Sequence, residues 1–197
     1  MALTVNGTAM KKCNVQGSRC KQVNLNGTKI WTDEENWFPE KYSQWTIGGN
    51  QNGNGRSEYT INSSTIHLLS DLGYENGSYS NATKAWAYTP LIDFSQYKKL
   101  TITFSYLITG TNYGTQATAK IGILNSTQVV VYNNNGCTEQ GANNWSWEQS
   151  FVTNRSSAEG TKTYDISNIN TTSRLWLLVY SYNTYAVMNV TSVILSE

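Results

Sequence analysis

The chain has 197 residues, 39% hydrophobic and 14% charged, enough for one core-forming domain of ordinary size with a short appendage. Its formal net charge of +1 includes no basic or acidic block, which excludes the electrostatic footprint of a nucleic-acid or anionic-membrane binder. Asn, Ser and Thr make up about a third of the residues and Tyr and Trp are plentiful, a composition suited to sheets with hydrogen-bonding loops.

The amino terminus, Met1-Ala2-Leu3-Thr4-Val5-Asn6-Gly7, has no charged segment followed by an apolar one, so no secretory signal is expected. No apolar run approaches the roughly 18 residues that span a bilayer. Cys13, Cys20 and Cys137 are an odd set in a chain that needs no staples, as fits a product made in reducing host cytoplasm. Sequons such as Asn62-Ser63-Ser64 and Asn144-Trp145-Ser146 read as chance in so Asn-rich a chain.

Residues 5–30 carry a ten-residue period: Val5-Asn6-Gly7-Thr8, Val15-Gln16-Gly17-Ser18 and Leu25-Asn26-Gly27-Thr28. Asn-Gly favours a two-residue hairpin turn because both central residues of a type I′ turn need positive φ. Counting outward from the turns sets Leu3 opposite Met10, Met10 opposite Val23 and Val23 opposite Ile30, with Val5 and Leu25 on the same face. Such a ribbon cannot bury its apolar face alone, so Leu3, Val5, Met10, Val23, Leu25 and Ile30 are expected to dock on another surface. The register also sets Cys13 opposite Cys20, within bridging distance, although two free thiols are the plainer reading in a reducing compartment.

These hairpin repeats, ending in Lys29-Ile30-Trp31, resemble the amino-terminal segments of bacteriophage structural proteins. The resemblance implies an attachment element before a β-rich module, other virion proteins as partners through residues 1–31, and a place in the virion. Its position in head or tail stays open.

The run Thr32-Asp33-Glu34-Glu35-Asn36 reads as a joint, so the expected organisation is a hairpin anchor over 1–31, a linker over 32–36 and a main domain over 37–197. In the main domain Leu100, Ile102, Phe104, Tyr106 and Ile108 alternate with Thr101, Thr103, Ser105, Leu107 and Thr109, the period of a half-buried strand. Other strands are expected near 45–47, 58–62, 65–69, 85–91, 117–124, 128–132, 147–153, 161–165, 174–182 and 186–195. Many short strands without helical periodicity predict an all-β, two-sheet antiparallel β-sandwich, a jelly roll. Ile102, Phe104 and Tyr106 should face Leu175, Leu177 and Val179 across the core. Asp93-Phe94-Ser95 and Asp165-Ile166-Ser167 read as matching corners, each with an Asp-held turn and an apolar plug. The phrase from Leu91 to Ile102 is similar to a stretch in galactose-binding-like and carbohydrate-binding-module jelly rolls, which implies a fold and not a ligand.

Catalytic signals are sparse. The single histidine, His67, lies inside a strand without a second ligand or dyad partner and reads as packed or at a rim. Glu58, Asp71, Glu75, Glu139 and Glu148 show no spacing that pairs two carboxylates on one strand face, as a glycosidase needs. The run Asn50–Gly55 has oxygen ligands but no carboxylate, so it reads as a loop, and neither metal nor cofactor is expected. The constellation that offers binding chemistry is Trp145 and Trp147 beside Asn143 and Asn144, since rings stack on sugar C–H faces and amides bond hydroxyls. The two Trp share a face if the strand starts there, although indoles capping the core are the plainer alternative. Tyr180, Tyr182 and Tyr185 form a second aromatic group compatible with a rim or a subunit interface.

The reading is a non-enzymatic virion protein, in a capsid decoration, fibre, tail or baseplate, displaying a jelly roll with a cell-surface glycan as candidate ligand. A homo-oligomer, a trimer by preference, is expected, with no nucleic-acid or membrane partner. The alternatives are a bacterial carbohydrate-binding module and a degenerate glycosidase-like domain.

Overall fold

The computed structural model describes residues 4–5, 8–9, 14–15, 18–19, 22–25, 28–32, 34–50, 55–72, 83–110, 116–124, 145–151, 156–182 and 184–197, with side chains described only from Glu34 onward. The repeat segment forms three two-stranded ladders: β1 (Thr4–Val5) with β2 (Thr8–Ala9), β3 (Asn14–Val15) with β4 (Ser18–Arg19), and β5 (Gln22–Leu25) with β6 (Thr28–Thr32). The pairs Val5 with Thr8, Val15 with Ser18 and Leu25 with Thr28 each enclose two residues, as the Gly-containing turns require. Two expectations are corrected. The described strands pair as separate hairpins and not as one four-stranded ladder. Asn24 pairs with Lys29 but Val23 pairs with Trp31, so Ile30 is the extra residue of a bulge and Val23 does not oppose it. Leu3, Met10, Cys13, Cys20 and Cys137 lie outside the described residues, as do the side chains of Val5, Val23, Leu25 and Ile30.

From Glu35 onward the chain builds two facing antiparallel sheets. One holds β16 (Ser156–Asp165), β13 (Lys99–Gly110), β19 (Thr184–Ser196), β10 (Ile66–Leu72) and β9 (Arg56–Ile61) in that order. β7 (Glu35–Phe38) is its sixth strand and pairs β19 at Val193–Leu195. The other sheet runs β15 (Trp145–Phe151), β14 (Gln116–Leu124), β18 (Leu175–Tyr182), β11 (Thr83–Tyr88) and β8 (Thr46–Asn50). Apart from the hairpins β9–β10 and β14–β15, successive long strands cross between the sheets, the winding of a jelly roll. Glu35 and Asn36, expected in the joint, are sheet residues instead, because Trp37 and Phe38 behind them are buried and draw the segment onto β19.

The core has the facing expected of the long strand. Leu100, Ile102 and Phe104 from β13 and Leu175, Leu177 and Val179 from β18 are buried in one cluster, with Tyr106 half-buried against it. Across from them β19 contributes Ala186, Met188 and Val190, then Val193 and Leu195; a bulge between Val190 and Ser192 restores the inward phase after the change of parity. Ser70 Oγ links the sheets through the buried interior, 2.6 Å from the Thr83 carbonyl and 2.7 Å from Ser181 Oγ.

Both corners are built as the Asp-x-Ser pattern predicts. Asp93 Oδ1 accepts from the Ser95 backbone N–H at 3.2 Å and Asp165 Oδ1 from that of Ser167 at 2.9 Å, while Phe94 and Ile166 are buried. The short strands β12 (Ile92–Asp93) and β17 (Thr172–Ser173) pair beside the first corner. A similar device closes the β9–β10 hairpin, where Asn62 Oδ1 accepts from the Ser64 and Thr65 backbone N–H groups at 2.8 and 3.0 Å.

Candidate functional site

The feature that stands apart is the outward face of the five-stranded sheet. Pairing and alternation lay it out as a grid: Gly122, Trp176, Tyr88 and Thr46 form one row across the strands, and Lys120, Leu178, Trp86 and Gly48 form the next. Leu124, Trp176 and Leu178 form a buried apolar cluster separate from the main core, and the half-buried rings of Trp86, Tyr88, Trp145 and Tyr180 pack against it. A globular sheet normally turns polar residues to this side. Here five aromatic rings occupy it.

Two glycines make room for the indoles. A Cβ on Gly122 would come within 2.4 Å of Trp145 Cε3, and one on Gly48 within 2.9 Å of Trp86 Cζ2. Neither glycine needs an unusual backbone; each supplies the space in which an indole rests against the sheet. Tyr88 stacks on Trp176 with centroids 4.4 Å apart, and the Arg174 guanidinium lies 5.3 Å from the Tyr88 centroid while its Nη1 donates to the Thr89 carbonyl at 2.9 Å. Lys120 Nζ is 3.1 Å from the Glu148 carboxylate and 5.1 Å from the Trp145 ring.

Of the sequence-derived site, Trp145 is on this face and Trp147 is not. Ile123 pairs with Trp147 and Leu124 with Trp145, so Ser146 is the extra residue of a bulge that sends the two rings to opposite sides. Trp147 packs against the inner core, 5.0 Å from the Tyr164 ring. Asn143 and Asn144 lie outside the described residues. Trp86, Tyr88 and Trp176 had no place in the sequence-derived site, and Tyr180 was grouped with the wrong neighbours: Tyr185 belongs to the other sheet, paired with Asp71 and Thr109. Their signal was the alternation of rings at 86 and 88 and at 176 and 180.

The remaining candidates are occupied elsewhere. His67 Nδ1 is 2.7 Å from Asn189 Oδ1 on the six-stranded sheet, the rim position expected of it. Glu58 and Asp71 both lie near Arg56, at 3.3 and 3.7 Å, on exposed positions, and Glu75 and Glu139 are outside the described residues. Among the described residues no group of His, Cys, Asp and Glu could hold a metal ion, and no helix is long and apolar enough to cross a membrane.

No protein-family model and no curated protein matches the chain. Solved structures do. A carbohydrate-binding module, TmCBM27, described for specific mannan recognition, is 10% identical over 83% of this chain and 96% of its own, with a TM-score of 0.38. A family 11 carbohydrate-binding module from Clostridium thermocellum is 13% identical over 83% and 95%, at 0.43. The enzymatically active domain of tailspike protein 4 from bacteriophage CBA120 is 10% identical over 79% of this chain and 19% of its own, at 0.39. At these TM-scores none of them bears on what this chain binds.

Proposed function

We propose that this protein is a non-catalytic glycan-binding β-sandwich and that the outward face of its five-stranded sheet is the ligand platform. The observation that carries the reading is the set of half-buried rings, Trp86, Tyr88, Trp145 and Tyr180, resting on a buried apolar floor where solvent-facing polar residues are the rule. Aromatic faces stack on sugar C–H surfaces, and the Lys120–Glu148 pair beside Trp145 supplies donors and acceptors for hydroxyls. Binding of this kind is weak per site, on the order of 10–1000 µM, and multivalent display raises it.

In the same reading the module is a bacteriophage virion component that attaches through residues 1–31, with the three hairpin ladders as the motivating feature. A bacterial carbohydrate-binding module would use the same face and differs only in what carries it. Glycan-array binding by the full chain, compared with Trp145→Ala and Trp86→Ala, tests the face: both folded variants should lose binding at least tenfold, and undiminished binding in both rejects the platform. Deleting residues 1–31 tests attachment, with a cooperative thermal transition retained and oligomerisation or particle incorporation abolished. Assembly like that of the parent rejects the anchor.

A further inference from the structure

We propose that the end of this face formed by Trp145, Trp176, Tyr88 and Arg174 recognises an anionic substituent, which makes the ligand class an acidic glycan. The inference rests on the glycan reading of the face. Three N–H donors here are buried without an acceptor: Trp145 Nε1, Trp176 Nε1 and Arg174 Nε. They belong to one contiguous patch. Trp176 pairs with Gly122, which the Trp145 ring covers; Trp176 stacks on Tyr88, and the Arg174 guanidinium reaches the same Tyr88 ring.

Buried N–H groups in native proteins are almost always paired, so a set of orphans in one place marks where an acceptor belongs. The buried oxygens without partners, Asn36 Oδ1, Thr83 Oγ1 and Thr184 Oγ1, are on other surfaces and cannot serve. A sugar hydroxyl accepts but also brings a donor that needs its own partner; a carboxylate, sulfate or phosphate oxygen only accepts. Charge points the same way. Among the described residues this face carries Lys84, Lys120 and Arg174 against the single carboxylate of Glu148. The Thr89 carbonyl holds one arm of the Arg174 fork, which fixes the orientation of the rest. Trp145 is the movable wall: half-buried and lodged over a glycine, its indole needs only a small tilt to open its own N–H and that of Trp176 to a ligand oxygen.

The test compares glycans that share a backbone and differ in charge: polygalacturonate against its methyl ester, dextran sulfate against dextran, and a glycerol-phosphate polymer against glycerol. Titration calorimetry on the full chain should show at least one charged member bound tenfold or more tighter than its neutral counterpart, by an advantage that shrinks as salt rises. Which charged member wins identifies carboxylate, sulfate or phosphate. Arg174→Gln should abolish the advantage and Arg174→Lys retain part of it, with thermal melts confirming the fold. Equal binding of charged and neutral members overturns the anionic inference and leaves the glycan reading standing. Charged-glycan affinity unchanged in Arg174→Gln also overturns it. Absence of binding to every polysaccharide by the folded wild-type chain takes down both readings.

Discussion

The two outward faces of the sandwich solve the same problem in opposite ways. On the six-stranded sheet the polar side chains satisfy one another across strands: Thr101 with Thr163 at 3.0 Å, Thr103 with Thr161 at 2.9 Å, and His67 with Asn189 at 2.7 Å. On the five-stranded sheet rings replace hydroxyls, glycines replace side chains beneath them, and indole N–H groups are left without acceptors. A face closed on its own hydrogen bonds offers a ligand little. The aromatic face has both apolar area and unspent donors, and the difference between the two places the ligand on one side of the molecule.

The sharpest way to break that comparison is to separate what holds the sandwich from what decorates it. Phe104 is buried and lies against Phe151 at 5.3 Å, so Phe104→Ala should cost about 3–5 kcal/mol in a denaturant titration. Trp147→Ala should cost about 2–4 kcal/mol, less because the ring is only half-buried, and should leave glycan affinity unchanged in protein that remains folded. A Trp147 variant that keeps its stability but loses binding would return that ring to the ligand face. Ser70→Ala removes the hydroxyl shared by the Thr83 carbonyl and Ser181 and should cost about 1–3 kcal/mol, since a buried polar partner is stranded. A cost near zero would mean the link between the sheets is dispensable.

The strand over 99–110 and its facing were legible because one side of it is apolar and the other polar, and period-two alternation has only one solution there. The Asp93 and Asp165 corners were legible for a similar reason: the interaction is local and complete within three residues. The aromatic face was not. Leu175 through Tyr180 is apolar at every position, so periodicity cannot tell that Trp176 turns outward and Leu177 inward; only pairing with β11 and β14 sorts them. Trp145 and Trp147 misled for the opposite reason. Their spacing is that of a shared face, and one bulged residue, Ser146, undoes it without leaving a mark in the local sequence.

A smaller effect tests how β7 is fastened beside the sandwich core. Burial pushes the Glu35 carboxyl up, but hydrogen bonds from Lys41 and Tyr97, with the Lys41 charge, more than reverse it and hold its pKa below the ordinary 4.5. The fold therefore favours the ionised form. That contribution is fully present above about 4.5, the unfolded value, and is lost as pH falls through the lower folded value. The Asp93 and Asp165 carboxyls, lowered by bonds from Ser95 and Ser167, move stability in the same direction. Glu35→Gln should thus be less stable than the parent at neutral pH, with the gap narrowing as pH drops below 4.5. A gap constant from pH 7 to acid would show that packing, not charge, accounts for the loss.

The smallest effect belongs to the hydroxyl face itself. Thr103 pairs with Thr161 at an exposed edge, where water replaces a lost hydroxyl partner at little cost, so Thr103→Ala should change stability by well under about 1 kcal/mol. Position 103 is also the outward neighbour of the buried Ile102 and Phe104, so the value reports the facing of the strand. A loss as large as that of Phe104→Ala would mean that this surface is covered by another molecule in solution. The covering would then have to be sought with the protein at assembly concentrations, because a satisfied threonine ladder gives no reason for it within the single chain.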